Sequence, residues 1–203
     1  LLVAPDRGRD RGKGGRMNLS HQLYDEMTIA AANVRKAHFA QLSALGVEPM
    51  AIGRIGARNG HSIGIAHVRE ARGGLFEFDP SGSPACVIAV RDPDCWDGAD
   101  GFFDLVAFRS GQPAHWLRRT GEAFALGQHL LEYGDPVPLV ATPADWLAAS
   151  GEAVCLLDWS RSSPAWRHLR SGPRLIIKSP DLQTELRRKL IEFAPLPEME
   201  LAA

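Results

Sequence analysis

The chain has 203 residues, 45% of them hydrophobic and 23% charged, with a formal net charge of −1. That length suits one domain or two sub-lobes, and the composition is that of an ordinary soluble domain. No uncharged apolar run approaches the roughly 20 residues that cross a bilayer, so no membrane partner is expected. The three cysteines, Cys86, Cys95 and Cys155, are widely spaced without a C-x-x-C pair. They indicate neither a disulfide framework nor a zinc site, and a cytoplasmic protein is the simplest expectation. Nineteen of the 23 basic residues are Arg, a bias for which a GC-rich genome is a simpler source than phosphate binding.

Residues 1–16 alternate Arg, Gly, Asp and Lys without apolar periodicity and are expected to be a disordered tail. Met17 reads as a start preceded by translated upstream sequence. Setting the tail aside leaves 18 basic against 22 acidic residues, a mildly acidic body that argues against strong sequence-independent DNA binding. Over residues 20–45, Leu23, Met27, Ala30, Ala31, Val34, His38, Leu42 and Leu45 follow the three-and-four spacing of one amphipathic helix stopped by Gly46. His38 lies in that stripe, where a hydrogen-bonded packing role is expected.

From residue 50 to 119 the pattern becomes short β-rich runs: 50–55, 62–69, 75–79, 86–91, 103–109 and 115–119. This predicts an antiparallel meander, with a hairpin at Arg72-Gly73-Gly74 where glycine accepts positive φ. After Gly134, strand and helix patterns alternate: 137–140, 143–149, 154–157, 164–170, 175–178 and 180–193. Three β-α units predict a small parallel sheet. Each helix opens with a hydroxyl followed by proline, at Thr142-Pro143, Ser163-Pro164 and Ser179-Pro180. The hydroxyl caps free N–H groups while proline occupies a position whose donor is unused. The fold expected is α/β, or α+β overall: an N-terminal helix, an antiparallel meander and a C-terminal βαβαβα parallel sheet. The divisions are a tail at 1–16, a helix-plus-meander lobe at 17–134, an α/β lobe at 135–194 and a closing tail at 195–203.

Few residues combine into chemistry. The acidic loop Asp92-Pro93-Asp94-Cys95-Trp96-Asp97-Gly98-Ala99-Asp100 lacks EF-hand spacing and reads as a solvated hairpin loop. The Gly/Arg-rich stretch 53–60 leads into a strand-like run, so an inter-strand turn is expected there, not a phosphate cradle. There is no G-x-S-x-G elbow and no H-E-x-x-H. His61, His67, His115, His129 and His168 are scattered without metal-ligand spacing, and Trp146, Trp159 and Trp166 read as packing residues.

The C-terminal half resembles a degenerate Toprim domain, the metal-binding module of primases and topoisomerases. The matching run is Pro138-Leu139-Val140-Ala141-Thr142-Pro143-Ala144-Asp145-Trp146-Leu147, with Asp145 and Leu147 in register and Ala141 where the family has its Glu. Leu175-Ile176-Ile177-Lys178-Ser179-Pro180-Asp181 resembles the third strand and its Asp-x-Asp, with Ser179 replacing the first Asp and Asp181 retained. The resemblance spans roughly residues 103–193. It implies a non-catalytic relative with no metal ligands, no cofactor and no catalytic residue, since one aspartate cannot hold Mg²⁺ for phosphoryl transfer. The chain is also loosely similar to uncharacterised phage and prophage proteins of GC-rich bacteria. These likenesses imply an accessory or binding protein linked to DNA replication, with replication proteins or nucleic acid as partners. Asp158, Asp181 and Asp145 are the candidate polar-site residues, Asp158 because ligands gather at the carboxyl ends of parallel strands. Arg118 and Arg119 are the candidate nucleic-acid contacts. The alternatives are an enzyme using Asp158, Asp181 and Arg118 or Arg119 between meander and sheet, or an assembly protein pairing through a meander edge.

Overall fold

The computed structural model describes residues 11–92, 101–132, 136–172 and 174–194. The N-terminal stripe forms two helices instead of one, α1 (Arg11–Ala32) and α2 (Lys36–Ser43). The break has a local cause. Arg35 is extended (φ −132, ψ 163), its N–H donates to His38 Nδ1 at 3.0 Å, and its Nη1 donates to the carbonyls of Ala32 and Val34. His38 therefore caps α2. Residues 11–16, expected to be disordered, lie in α1, while 1–10 and the closing 195–203 fall outside the described residues.

A second correction concerns residues 50–60. Instead of a strand and a turn they form α3 (Pro49–Asn59), which starts with proline at its first position after an extended Glu48 and ends at Gly60. Ala51, Ile52 and Ile55 supply its buried face. The two internal glycines that resemble turn punctuation are tolerated because packing of this face outweighs their helix cost.

Five strands follow: β1 (Gly64–Ala71), β2 (Leu75–Phe78), β3 (Ser83–Arg91), β4 (Phe102–Arg109) and β5 (Gln112–Arg118). The β1–β2 hairpin turns through Gly73 and Gly74 at φ 76 and 73. The expected meander is curled into a ring of order β1-β2-β5-β4-β3: β3 pairs back onto β1, and β2 meets β5 in parallel through Leu75 and Arg118. Closure rests on that single rung, and residues 112–117 of β5 pair with no described strand but β4, so the meander keeps part of one edge open to a partner strand. On β3, Ala85, Val87 and Ala89 join a core with Leu23, Met27 and Ala30 of α1. The alternate residues Cys86, Ile88 and Val90 join a second core with Ile52 and Ile55 of α3. Burial on both faces explains a continuous apolar run where a one-sided strand would alternate.

The second sheet has order β6-β8-β7-β9, with β6 (Ala125–Leu126), β7 (Val137–Val140), β8 (Val154–Leu156) and β9 (Leu175–Ile177). Parallel pairing joins β7 to β8 and to β9, and β6 runs antiparallel on β8. A 3-10 helix (Gln128–Glu132) follows β6. Both lie ahead of the 134/135 division, yet β6 pairs into this sheet. The crossovers are α4 (Pro143–Ala148) and α5 (Ala165–Ser171), and α6 (Pro180–Glu192) follows β9. Two of the hydroxyl-proline starts behave as expected, with Thr142 accepting from Asp145 N and Ser179 from Leu182 N; at α5 Pro164 is itself the capping residue, in helical conformation, and Ser163 before it accepts from Ala165 N. The fold is thus α+β, a small barrel joined to a parallel-rich sheet. No described helix is long and apolar enough to cross a membrane.

Candidate functional site

The sequence-derived candidates sit at the carboxyl edge of the parallel strands. Ala141 follows β7, Asp158 follows β8, and Asp181 lies in the first turn of α6 after β9. Arg118 and Asp158 come together, with Nη1 3.9 Å from Oδ2. Asp158 also accepts from Ser160 N at 2.9 Å, and Arg118 donates to the carbonyls of Gly121 and Ala123. Arg119 is elsewhere, bonded to both oxygens of Glu26 on α1 at 3.1 and 2.9 Å and lying over the Phe78 ring. Asp145 turns back onto Thr142, accepting from its N–H and its hydroxyl, while Asp181 stands exposed.

Among the described residues, no three His, Cys, Asp or Glu side chains gather as metal ligands. The acidic loop lies outside them after Asp92, Cys95 included. Burial pushes the Cys86 thiol up to about 12 and raises Cys155 as well, aided there by the charge of Asp145. Such thiols are poor nucleophiles. The histidines make local contacts: His67 with Pro80 O, His115 with Glu70, and His168 stacked on Phe124. His61 meets Thr28 and Tyr24, and burial followed by the nearby Arg91 charge lowers its pKa.

A different feature emerges between the lobes, a cavity of 550 Å³ walled by α3, the end of β3, the β6 to 3-10 turn and α4. Arg58 ties its rim together, reaching from α3 to Glu152 and to the carbonyl of Ser150 just beyond α4. Trp146 and Gln128 contribute to the wall. The Trp146 indole lies against the backbone of Gly127 and Gly151, both at positive φ (68 and 76). A Cβ on Gly127 would sit 3.2 Å from Trp146 Nε1 and 2.2 Å from Ala153 O, and one on Gly151 would sit 3.2 Å from Trp146 Cζ2. Side chains at either position would crowd the ring. Ser150, at φ 57, is the one non-glycine residue among those described with positive φ. Backbone held in this region stores strain and clusters at functional sites.

The hydrogen bonding of the wall is incomplete. Trp116, Trp159 and Trp166 donate their indole N–H groups to the carbonyls of Leu157, Leu156 and Ser160. Trp146 Nε1, in a residue only 5% exposed, has no partner, and neither has the buried Gln128 Oε1. Buried polar atoms are paired as a rule, so two exceptions around one cavity call for an explanation. No protein-family model, curated protein or solved structure matches this chain. The functional reading rests on these residues.

Sequence reasoning did not reach the cavity, because its wall is drawn from four segments far apart in the chain. The signals within reach were the Ser150-Gly151 pair after α4 and Gly127 between a strand and a short helix. Asp104 also escaped notice: it is fully buried and accepts from the N–H groups of Leu105, Arg119, Thr120 and Ala123.

Proposed function

We propose that the chain is a non-catalytic binding protein whose inter-lobe cavity takes up a small ligand bearing both a hydrogen-bond donor and an acceptor. The observation carrying this reading is that two residues of one cavity wall, Trp146 and Gln128, each hold an unpartnered buried atom, Nε1 and Oε1, which a modest turn of the side chain would present to a ligand. Each orphaned group costs about 1–3 kcal/mol. A carbonyl beside an N–H, as in an amide or a heterocyclic base edge, offers what each atom lacks. The volume falls within the roughly 300–1,000 Å³ typical of small-molecule sites. A binding role without turnover is supported by the commitments of the acids: Asp145 caps a helix, and Asp158 serves Ser160 and Arg118.

A thermal-shift screen of polar metabolites tests this. A ligand at a hundredfold excess over its Kd adds about 2.7 kcal/mol of stability, and it should be recovered chemically unchanged. Gln128→Leu removes an unpaired acceptor, so it should leave the free protein as stable or about 1 kcal/mol more stable while abolishing the ligand-induced shift. A clear loss of stability in that variant, or conversion of the ligand to product, would overturn the proposal.

A second reading is a degenerate Toprim-like lobe in an accessory protein of phage or prophage replication. One feature supports it: β7 and β9 are parallel neighbours. Ala141 and Ser179, which occupy the places of acids in the resemblance, therefore follow adjacent strands.

A further inference from the structure

Residues 159–180 hold five cations, Arg161, Arg167, Arg170, Arg174 and Lys178, and no Asp or Glu, in a chain of net charge −1. All five side chains are exposed. Some exposed guanidinium groups elsewhere are matched with acids, Arg58 with Glu152, Arg69 with Glu77 and Asp79, Arg188 with Glu185 and Glu192, while Arg54, Arg72, Arg109 and Arg187 are not among the described residues, so what sets this stretch apart is its run of cations without an acid. Here Arg170 bonds only to the carbonyl of Leu190, and the side chains of Arg161, Arg167, Arg174 and Lys178 make no hydrogen bond or ion pair among the described residues. Arg167 and Arg170 lie on one face of α5, since residues three apart on a helix are neighbours. Arg161 precedes that helix, and Arg174 and Lys178 bracket β9. The acids on adjoining elements are Glu132 on the 3-10 helix and Asp181, Glu185 and Glu192 on α6, the last two already paired.

Beside Arg161, the half-buried Trp159 packs edge-on against Trp166. We propose that this basic stretch binds the phosphate backbone of a single-stranded nucleic acid, with Trp159 offering a stacking surface to a base. Unpaired guanidinium forks match phosphate oxygens, and aromatic rings beside cations are the usual platform for single strands. A duplex is the poorer fit. With seven residues, α5 extends only about 10 Å, a short span to lay along a major groove. The proposal is independent of what fills the inter-lobe cavity.

Fluorescence anisotropy of the full chain with a labelled oligothymidylate of about 15 nucleotides tests it. With four to five phosphates engaged, log K should fall against log salt with a slope of about −3. The double variant Arg167→Glu/Arg170→Glu should weaken binding by about tenfold or more and flatten the slope by about 1.4, while Arg72→Glu, on the β1–β2 hairpin, should leave it unchanged. Absence of binding at low salt, indifference to charge reversal, tighter binding of the matching duplex, or equal competition by polyglutamate would each overturn it.

Discussion

Asp104 illustrates how much one side chain can organise. Its two oxygens satisfy four backbone N–H groups, three of them in residues 119–123, the link between β5 and β6. Asp104→Asn exchanges one acceptor for a donor facing those groups and should cost about 3 kcal/mol or more in urea unfolding, since each buried orphan costs about 1–3 kcal/mol. A loss below about 1 kcal/mol would show that the link is held by something else. In the sequence Asp104 is merely the polar residue of an apolar strand, and an isolated polar residue there reads as facing water. The same blindness hides the state of Trp146, because whether an indole N–H has a partner depends on segments remote in sequence.

At the scale of elements, the clearest local signals were also the most faithful. The hydroxyl-proline starts of α4 and α6 are self-contained capping chemistry, which needs no tertiary contact to be read. What misled was α3, where Gly53 and Gly56 resemble turn residues and Ile52 and Ile55 form a helix face only because a core awaits them. The single N-terminal stripe was likewise split by Arg35 and His38, whose mutual contact competes with continued helix. Of the candidate site, the Arg118–Asp158 contact was legible as two named residues, and the cavity was not. The parallel neighbours β7 and β9 give the Toprim-like reading a direct trial. Ala141→Glu combined with Ser179→Asp, with Asp181 retained, should create Mg²⁺ binding measurable by calorimetry. No gain in Mg²⁺ affinity by a folded variant would end that reading.

For the whole molecule, one core crosses the boundary between barrel and sheet: Ile55, Ile88 and Phe108 pack in the same cluster as Trp146, Leu147 and Cys155. Neither lobe can lose its packing without exposing apolar surface of the other. Unfolding followed by tryptophan fluorescence and by far-UV circular dichroism should give coincident single transitions, and two separable steps would contradict a shared core.

The ring of β1 to β5 closes through one rung between β2 and β5, while the second sheet ends in two open rims. Those rims, β6 and β9, are two and three residues long. Such stubs offer too few rungs for a ladder to grip, so neither rim is a ready template for a fibre.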